Sequence, residues 1–462
     1  MSNQVLKIRG GSSLFGNVYL PSNKNAILPI LCASILVKGK VTIEQVPKSP
    51  DVFRIIEALE KIGATCAWLD ETDNLAIDTK DIHSYEIDSC VADMQAGILF
   101  AGPLLARFGK AIIPRGKGCK LGYRGPEKHI DFFKRAGVSS YEESGKLFFT
   151  EDIPKRELPI NKPGPIKDGV KVKIISFPKP AVTPTENILM YLVGRPEEVW
   201  SLHGLAQEPH VDDLVNFLNL ISSTEVIKGY GSSRKVQGTS ERKTDVSFKT
   251  QLDHVDAAGW ISLAAITKGL ITLKNVFETT KSITNIIEFF KPFGVSFRRI
   301  DDDLEVDCEH YVFSPDDTVE KYNEFSWKVV PGPWPQEPVD TLPSFAALAT
   351  TNRGLGTEVH IVNHMFEDGL RYAKCFRDIG LGIIEQNMMF SIKGYQPSAV
   401  HSEVTAPDVI EGARAVIWVI LGLPKGSEVI VRNWHPILRR NPNIIEILKE
   451  LGADIEIVDQ ES

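Results

Sequence analysis

A glycine-rich basic stretch at residues 115–129 carries the most conspicuous candidate chemistry of the chain. It reads RGKGCKLGYRGPEKH and sets five lysine or arginine side chains around one thiol, that of Cys119. Glycine lets backbone N–H groups approach an anion closely, and neighbouring positive charge lowers a thiol pKa and favours the reactive thiolate. The stretch therefore predicts a basic loop that binds phosphate and supports proton transfer or covalent chemistry at Cys119. The alternative is a solvated basic loop with an incidental cysteine.

A second candidate anion site lies at Lys24 and Asn25. Both residues directly precede an apolar helical segment, ILPILCASIL. Because the first turn of a helix leaves backbone N–H groups unpaired, this position favours a bound anion. A lysine at the edge of a domain, without a ligand, is the alternative.

Composition restricts the class of ligand. The chain has 462 residues, of which 43% are apolar and 24% charged, with a net charge of −8. This length predicts two or more domains, and the composition is that of a soluble globular protein. An acidic protein with one basic loop favours a small anionic ligand over nucleic acid, which usually requires a broad basic surface.

The chain shows neither a membrane nor a metal signature. No run approaches ~18 apolar residues, and residues 1–7 have no apolar signal-peptide core. The six cysteines are scattered, without a CxxC pair, so neither a zinc site nor a disulfide framework is expected. We expect a cytoplasmic protein with no metal, no cofactor and no membrane partner.

A repeated unit organises the elements that position these residues. An amphipathic helix that ends at a small residue and leads into a strand occurs six times, ending near positions 63, 137, 222, 294, 380 and 452. Each copy follows a helix rich in small residues, which favours close packing. The latter helices are predicted at 25–36, 95–108, 186–193, 256–267, 344–351 and 412–421. Six copies predict two similar α/β domains of three repeats each.

The domain boundaries follow from the repeats and from one polar stretch. The polar segment 229–244 is typical of a linker, and a strand predicted at Gln4–Arg9 precedes the first repeat. We therefore predict one domain at 22–235, which carries the Cys119 loop, and a second formed by 1–21 plus 236–462. The chain would cross between them twice.

The chain resembles the enolpyruvyl transferases, and in particular those that act on UDP-N-acetylglucosamine. The resemblance covers nearly the whole chain and rests on several short motifs in order: SNKNAILPI at 22–30, AGPLLARFG at 101–109, GCKLGYR at 118–124, VTPTEN at 182–187, EPHVD at 208–212, PVD at 338–340 and LGADI at 451–455. It implies a fold of two inside-out α/β domains, each of three βαβαββ repeats, that close over phosphoenolpyruvate and a uridine nucleotide.

The resemblance also implies roles for individual residues. Cys119 would be the general acid toward the methylene group of the donor, and Asp340 would accept the proton of the acceptor hydroxyl. Lys24, Arg124 and Arg439 would hold the donor phosphate, and Asn25 the acceptor sugar. Lys179, Val182, Thr183 and the segment 126–129 with His129 match the positions that hold the uridine nucleotide.

Three positions depart from the family pattern. Gln95 and His364 stand where the family has arginine, and Asp408 begins a motif whose third residue is Ile410 instead of arginine. The end of the site that would hold the donor carboxylate therefore lacks its usual cations, whereas the phosphate end is retained. Arg414 and Arg440 are nearby in sequence and are candidates to compensate.

Three interpretations remain open from the sequence. The first is transfer of enolpyruvate to UDP-N-acetylglucosamine, and the second is the same transfer to another nucleotide, such as UMP. The third is a catalytically silent protein that binds a sugar nucleotide. Cys119 and Asp340 favour the two enzymatic interpretations, and the altered donor positions favour the third.

Overall fold

The computed structural model describes residues 4–69, 72–116, 125–151, 163–167, 170–279, 282–354, 356–365, 369–394 and 398–459. The α-helices in these ranges are α1 Lys24–Ala33, α2 Pro50–Lys61, α3 Ala101–Phe108, α4 Glu127–Arg135, α5 Val182–Val193, α6 Pro209–Leu220, α7 His254–Thr267, α8 Val276–Thr279, α9 Ile283–Phe290, α10 Leu342–Ala349, α11 Tyr372–Asp378, α12 Ile410–Leu421 and α13 Ile444–Glu450. Short 3-10 helices are Ser34–Leu36, Ser89–Val91, Gln95–Phe100, Lys291–Phe293, Val339–Thr341 and His435–Arg439.

The same ranges contain the β-strands. They are β1 Gln4–Arg9, β2 Phe15–Tyr19, β3 Lys40–Ile43, β4 Thr65–Leu69, β5 Asn74–Asp78, β6 Lys110–Pro114, β7 Ser139–Glu143, β8 Lys146–Thr150, β9 Pro163–Lys167, β10 Val170–Ser176, β11 Val199–His203, β12 Ile227–Lys228, β13 Ser233–Gln237, β14 Val246–Phe248, β15 Leu270–Lys274, β16 Ser296–Ile300, β17 Asp303–Asp307, β18 Lys321–Asn323, β19 Ser326–Val329, β20 Glu358–Val362, β21 Ile383–Gln386, β22 Met389–Lys393, β23 His401–Thr405, β24 Glu428–Arg432 and β25 Asp454–Asp459.

The six predicted amphipathic helices all form, as α2, α4, α6, α9, α11 and α13. Most end as the sequence predicts, at a glycine whose positive φ is rarely adopted by other residues. These glycines are Gly63, Gly137, Gly294, Gly380 and Gly452, with φ between 87° and 108°. The helical period and the glycine stop therefore locate these elements from the sequence alone.

The sheets repeat one topology. In the described part of the chain there are six, and in five of them one strand pairs in parallel with a second, which in turn pairs antiparallel with one strand of an antiparallel pair. In four of these five sheets the antiparallel pair is a hairpin, and in the fifth it is β1 with β25. The parallel pairs are β14 with β3, β10 with β11, β2 with β15, β19 with β20 and β23 with β24. In the sixth sheet, β6-β8-β7, a single parallel bridge from Glu86 to Ile112 takes the place of the first strand. Each sheet is thus one copy of the predicted repeat.

The described chain forms two compact units. The first contains the described residues from 22 to 251, and the second contains those from 4 to 21 and from 252 to 459. Each unit has three of the sheets and one apolar core. The N-terminal strand β1 lies between β24 and β25, antiparallel to both, so the start of the chain completes the last repeat.

The first compact unit extends to residue 251, whereas the sequence predicted a domain end at residue 235. Residues 233–237 form β13, which pairs antiparallel with β11 and buries Arg234 and Val236. β14 then pairs with β3 in the same unit. The polar composition of 229–244 indicated a linker, but alternate side chains on a strand can enter a core while the others face water.

The helices rich in small residues are the buried ones, as predicted. In α7 every residue is buried, and α12 is buried at all positions except the first. α1 begins at Lys24 and α5 at Val182, so the first turns of two buried helices carry predicted site residues. Among the described residues, no helix combines the length and the apolar character needed to cross a membrane.

Candidate functional site

Two of the predicted site residues, Cys119 and Arg124, lie outside the described residues, as does the rest of 117–124. Their roles stay predictions that rest on the sequence. The stretch begins after β6 and leads into α4, which carries His129.

Lys24 occupies the first position of α1 and is almost fully buried. Its Nζ lies 2.5 Å from Oδ2 of Asp51, which is equally buried at the second position of α2. Asn23 caps α1 by accepting a hydrogen bond from the backbone N–H of Asn25 at 2.9 Å. A buried ammonium group at a helix N-terminus, paired with a carboxylate, is suited to an oxyanion that replaces part of its hydration. Asn25 is half-buried at the next position.

The predicted nucleotide residues of the first unit come together around the start of α5. His129 is buried on α4, and its Nε2 lies 3.1 Å from Oγ1 of Thr183. Val182, the first residue of α5, is half-buried, and Lys179 is exposed in the bend before it. The structure therefore joins His129 and Thr183 directly and places Val182 beside them. It gives Lys179 no described side-chain contact.

Burial lowers the pKa of His129 from its ordinary value to about 3. The ring is therefore neutral at physiological pH, and each of its two nitrogens then acts either as a donor or as an acceptor.

Gln95 begins the 3-10 helix Gln95–Phe100 and is half-buried. The carbonyl of Ile98, on that same helix, accepts a hydrogen bond from Asn187 Nδ2 at 2.8 Å.

Asp340 lies in the 3-10 helix Val339–Thr341, directly before α10. It is half-buried and lines a small cavity of about 40 Å³ in the second unit. Arg371, Tyr372 and Glu411 are among the other residues that line this cavity. A carboxylate with access to a cavity beside a guanidinium can act on a hydroxyl group of a bound ligand.

A buried network of charges lies at the start of α12. Arg414 contacts Asp256 Oδ1 at 2.7 Å and Glu411 Oε2 at 2.5 Å. Arg440 pairs with Asp253 and with Glu411, and both arginines are buried. Burial opposes the charge of Arg440, but Asp253 and Glu411 outweigh it and raise the pKa of Arg440 above its ordinary value. Arg414 and Arg440 are therefore committed to internal carboxylates, which argues against the role of substitute donor-binding cations that their sequence positions indicated.

The remaining predicted residues of the second unit lie near its surface. Arg439 ends the 3-10 helix His435–Arg439 and is half-buried. His364 is exposed after β20, and Asp408 is exposed before α12. Asp408 lines a cavity of about 390 Å³, together with Arg371, Lys374 and Glu403. The structure brings neither His364 nor Arg439 into the two cavities described here.

Comparison with known proteins agrees with this architecture. The family model of EPSP synthase (3-phosphoshikimate 1-carboxyvinyltransferase) matches residues 8–368. The chain belongs to this family of enolpyruvyl transferases. The predicted activity class and the fold of two α/β units with three repeats each are thereby confirmed.

Several enolpyruvyl transferases are similar along the whole chain. The UDP-N-acetylglucosamine 1-carboxyvinyltransferase of Coxiella burnetii (strain RSA 493) is 28% identical over 457 residues, covering 98% of this chain and 96% of its own. That of Hydrogenovibrio crunogenus is 29% identical and covers 97% and 98%. In fold, the enolpyruvyl transferase NikO of Streptomyces tendae matches with a TM-score of 0.80 at 17% identity, over 100% of both chains. An EPSP synthase of Acinetobacter baumannii matches with a TM-score of 0.66 at 15% identity, covering 98% of this chain and 100% of its own.

Within this enolpyruvyl transferase, Arg371 is the candidate site residue that sequence reasoning missed. It precedes α11 directly and lines both cavities, one of them with Asp340 and the other with Asp408. Its only signal in the sequence is its position just before a repeat helix, because a motif comparison looks for arginine at the positions of His364 and Ile410. The tertiary structure instead places Arg371, from the turn before α11, at the two cavities.

Proposed function

We propose that this protein transfers the enolpyruvyl group of phosphoenolpyruvate to a hydroxyl group of UDP-N-acetylglucosamine, with release of phosphate. The observation that carries this proposal is the similarity, over 98% of the chain, to UDP-N-acetylglucosamine 1-carboxyvinyltransferases. The retained acid, base and phosphate positions of the sequence are consistent with it.

The reaction proceeds by addition and elimination. In the addition, a proton joins the methylene carbon of the donor, and the acceptor oxygen bonds to the neighbouring carbon as its own proton leaves. The product is a tetrahedral ketal, which then loses phosphate and a methyl proton to restore the double bond. Cys119 supplies the first proton from its thiol form, which is in equilibrium with the thiolate that the basic neighbours favour, and Asp340 accepts that of the acceptor hydroxyl.

Different residues hold the phosphate of the donor and the acceptor nucleotide. Lys24, Arg124 and Arg439 hold the donor phosphate, for which the buried ammonium of Lys24 at the start of α1 gives structural support. The acceptor is held by Asn25, Lys179, Val182 and Thr183, and His129 acts at this end of the site through its contact with Thr183.

The donor carboxylate is held by Arg371 in this proposal. This guanidinium lines the same cavity as Asp340, whereas Arg414 and Arg440 are buried against carboxylates. Gln95 and His364 remain secondary candidates at this end, since a neutral amide and an exposed imidazole bind a carboxylate more weakly than a guanidinium does. Asp408, itself a carboxylate, has no donor for that group and remains a candidate only through its match to the family motif.

Transfer to a different uridine nucleotide, such as UMP, is the second candidate function. The observation that favours it is the loss of arginine at Gln95, His364 and Ile410, since a site changed this much can serve a specialised reaction. The same loss leaves a third candidate, a sugar-nucleotide binding protein without catalysis.

Release of inorganic phosphate from phosphoenolpyruvate distinguishes these candidates. The full-length protein is mixed with phosphoenolpyruvate and, separately, with UDP-N-acetylglucosamine, UDP, UMP and uridine. We expect phosphate release with UDP-N-acetylglucosamine and its loss in Asp340→Asn. Release with UMP alone supports the second candidate, and nucleotide binding without release under any condition supports the third.

A further inference from the structure

The side-chain amide of Asn187 has its orientation fixed by two backbone groups. Its Oδ1 accepts a hydrogen bond from the N–H of Gly102 at 2.8 Å, and its Nδ2 donates to the carbonyl of Ile98 at 2.8 Å. A backbone N–H can only donate and a carbonyl can only accept, so the amide cannot be reversed. Asn187 is buried, and the close fit of Gly102 against it leaves no room for a side chain there.

This orientation determines the tautomer of His129. The second hydrogen of Asn187 Nδ2 points to His129 Nδ1, at 3.0 Å. Nδ1 therefore accepts, and in the neutral ring that burial imposes the single proton lies on Nε2. Nε2–H donates in turn to Oγ1 of Thr183, at 3.1 Å.

The consequence falls on the hydroxyl group of Thr183. Its oxygen already accepts from His129, so its own proton is left for another acceptor, and among the described residues it makes no further hydrogen bond. Thr183 is half-buried in the first turn of α5, where backbone N–H groups also favour an electron-rich ligand. We propose that the chain of hydrogen bonds from Asn187 through His129 commits the Thr183 hydroxyl to donate its proton to an oxygen atom of a bound uridine nucleotide.

This inference rests on the proposed function for the class of ligand, and it adds the role of each group. Thr183 contacts the nucleotide, whereas His129 and Asn187 are positioning residues that act through it. The acceptor is an oxygen of the phosphate or a carbonyl of the uracil ring, because both accept hydrogen bonds and neither donates one. A donor group could still reach the second lone pair of the Thr183 oxygen, but only an acceptor uses the proton that His129 leaves free, which favours recognition of such an oxygen.

Nuclear magnetic resonance tests the tautomer. Long-range proton–nitrogen spectra of the full-length protein with labelled histidine, with His129→Gln to assign the signal, should show His129 protonated on Nε2 only. That pattern should stay unchanged between pH 8 and pH 5. We call the chain of hydrogen bonds from Asn187 through His129 to Thr183 the relay. A His129 that carries its proton on Nδ1, or that becomes charged within this range, would overturn it.

Calorimetric titration with UMP and with uridine tests the hydrogen bond to the ligand. Thr183→Val removes the hydroxyl at nearly constant volume and should weaken binding about fivefold to tenfold, whereas Thr183→Ser should remain within about twofold of the wild type. A loss with UMP only identifies a phosphate oxygen, and an equal loss with uridine identifies the nucleoside. Unchanged binding by Thr183→Val, or an equal loss in Thr183→Ser, contradicts the proposal.

Asn187→Asp reverses the relay. An aspartate oxygen at this place accepts from His129 Nδ1–H, which turns Nε2 into an acceptor for the Thr183 proton. We expect the altered tautomer and the same loss of UMP affinity as in Thr183→Val, with no further loss when both changes are combined. Wild-type affinity in folded Asn187→Asp with a neutral His129 ring would overturn the relay. The two Thr183 variants decide the matter if Asn187→Asp does not fold or if its aspartate charges the ring, since Nε2–H of an imidazolium still donates to Thr183.

The outcomes separate this inference from the proposed function. The wild-type protein could bind UMP with the Thr183 dependence described and still release no phosphate from phosphoenolpyruvate. In that case the relay stands and the proposed transferase activity fails. Failure of the wild type to bind UMP and uridine would overturn the ligand assigned to Thr183.

Discussion

At the scale of single residues, the thiols differ in the environments that the chain gives them. Burial raises the pKa of Cys66 and of Cys308 to about 12 and that of Cys375 to about 11. It also raises the pKa of Cys32 and of Cys90 above the ordinary value. These five thiols are therefore protonated near neutral pH. The sequence around Cys119 predicts the opposite for its thiol, a lowered pKa and a thiolate.

Cys119 should consequently react first with an alkylating reagent. At pH 7 iodoacetamide should modify Cys119 well before the others, because Lys117 and Lys120 beside it in the sequence favour the thiolate. Peptide mass spectrometry over time measures the order, with Cys119→Ser as the control. Uniform labelling, or earlier labelling of Cys66 or Cys90, would show that the basic loop does not activate its cysteine.

Arg371 is the second residue whose role can be separated by substitution. Arg371→Gln should raise the KM for phosphoenolpyruvate roughly tenfold or more while leaving UMP affinity unchanged, since a charge-assisted hydrogen bond is worth about 1.5–3 kcal/mol. Arg377→Gln is the matched control, because Arg377 lies on α11, the helix that directly follows Arg371 in the chain, lines neither cavity and pairs with Glu385 at 2.8 Å. Equal effects of the two substitutions, or none, would remove Arg371 from the donor site.

At the scale of elements, buried polar groups fix the ends of the core helices. Asp253 caps α7 and also pairs with Arg440, while Asp256 in the first turn of α7 pairs with Arg414 on α12. Such pairs add little net stability compared with apolar packing, but loss of one partner leaves an uncompensated buried charge. We infer that this network fixes α7, α12 and the segment of Arg439 in one arrangement.

Asp213 on α6 provides a pH test at this scale. Burial raises its pKa from 3.8 to about 6, and hydrogen bonds from Gln251 oppose the shift without cancelling it. The folded state therefore binds this proton more tightly than the unfolded state, and stability from this group is lost as pH rises from about 4 to about 6.

We expect Asp213→Asn to remove that loss. Relative to the wild type, its free energy of unfolding should gain on the order of 1–3 kcal/mol between pH 4 and pH 7, at about 1.4 kcal/mol per unit of pKa shift. Urea unfolding at several pH values measures the difference. Asp317→Asn, at a side chain that is 97% exposed, should show no such trend. A parallel pH profile for wild type and Asp213→Asn would refute the assignment.

At the scale of the whole molecule, the predicted nucleotide residues all belong to one unit. His129, Val182 and Thr183 lie between residues 22 and 251, whereas Asp340 and Arg371 belong to the second unit. Each unit has its own apolar core, so a ligand that contacts one unit stabilises that unit directly.

UMP alone should therefore protect the two units unequally. In hydrogen–deuterium exchange we expect slower exchange in α4 and the first turn of α5, and little change in α10 and α12. UMP carries the uridine and one phosphate but lacks the N-acetylglucosamine whose hydroxyl Asp340 acts on in the proposed function, which is why the second unit should respond weakly. Comparable protection of both units, or protection of α10 and α12 first, would contradict the assignment of the nucleotide to the first unit.

The sequence by itself determined the repeat and the family. Helical periodicity ending at glycine located the repeat helices, because a positive φ after a helix is a local requirement that glycine meets at low cost. The runs of small residues identified the buried helices for a similar reason, since close packing constrains side-chain size along one element. Motifs in order along the repeats then indicated an enolpyruvyl transferase.

Only the tertiary structure decided which charges lie in the core and which line a cavity. Arg414 and Arg440 are as basic in the sequence as Arg371, but Asp256 and Asp253, from distant parts of the sequence, pair with them in the core, and Arg371 lines the cavity of Asp340. The tautomer of His129 likewise depends on Asn187, 58 residues away. Ion pairs and buried hydrogen bonds join residues that are far apart in sequence, so their partners are set by packing and cannot be read from spacing along the chain.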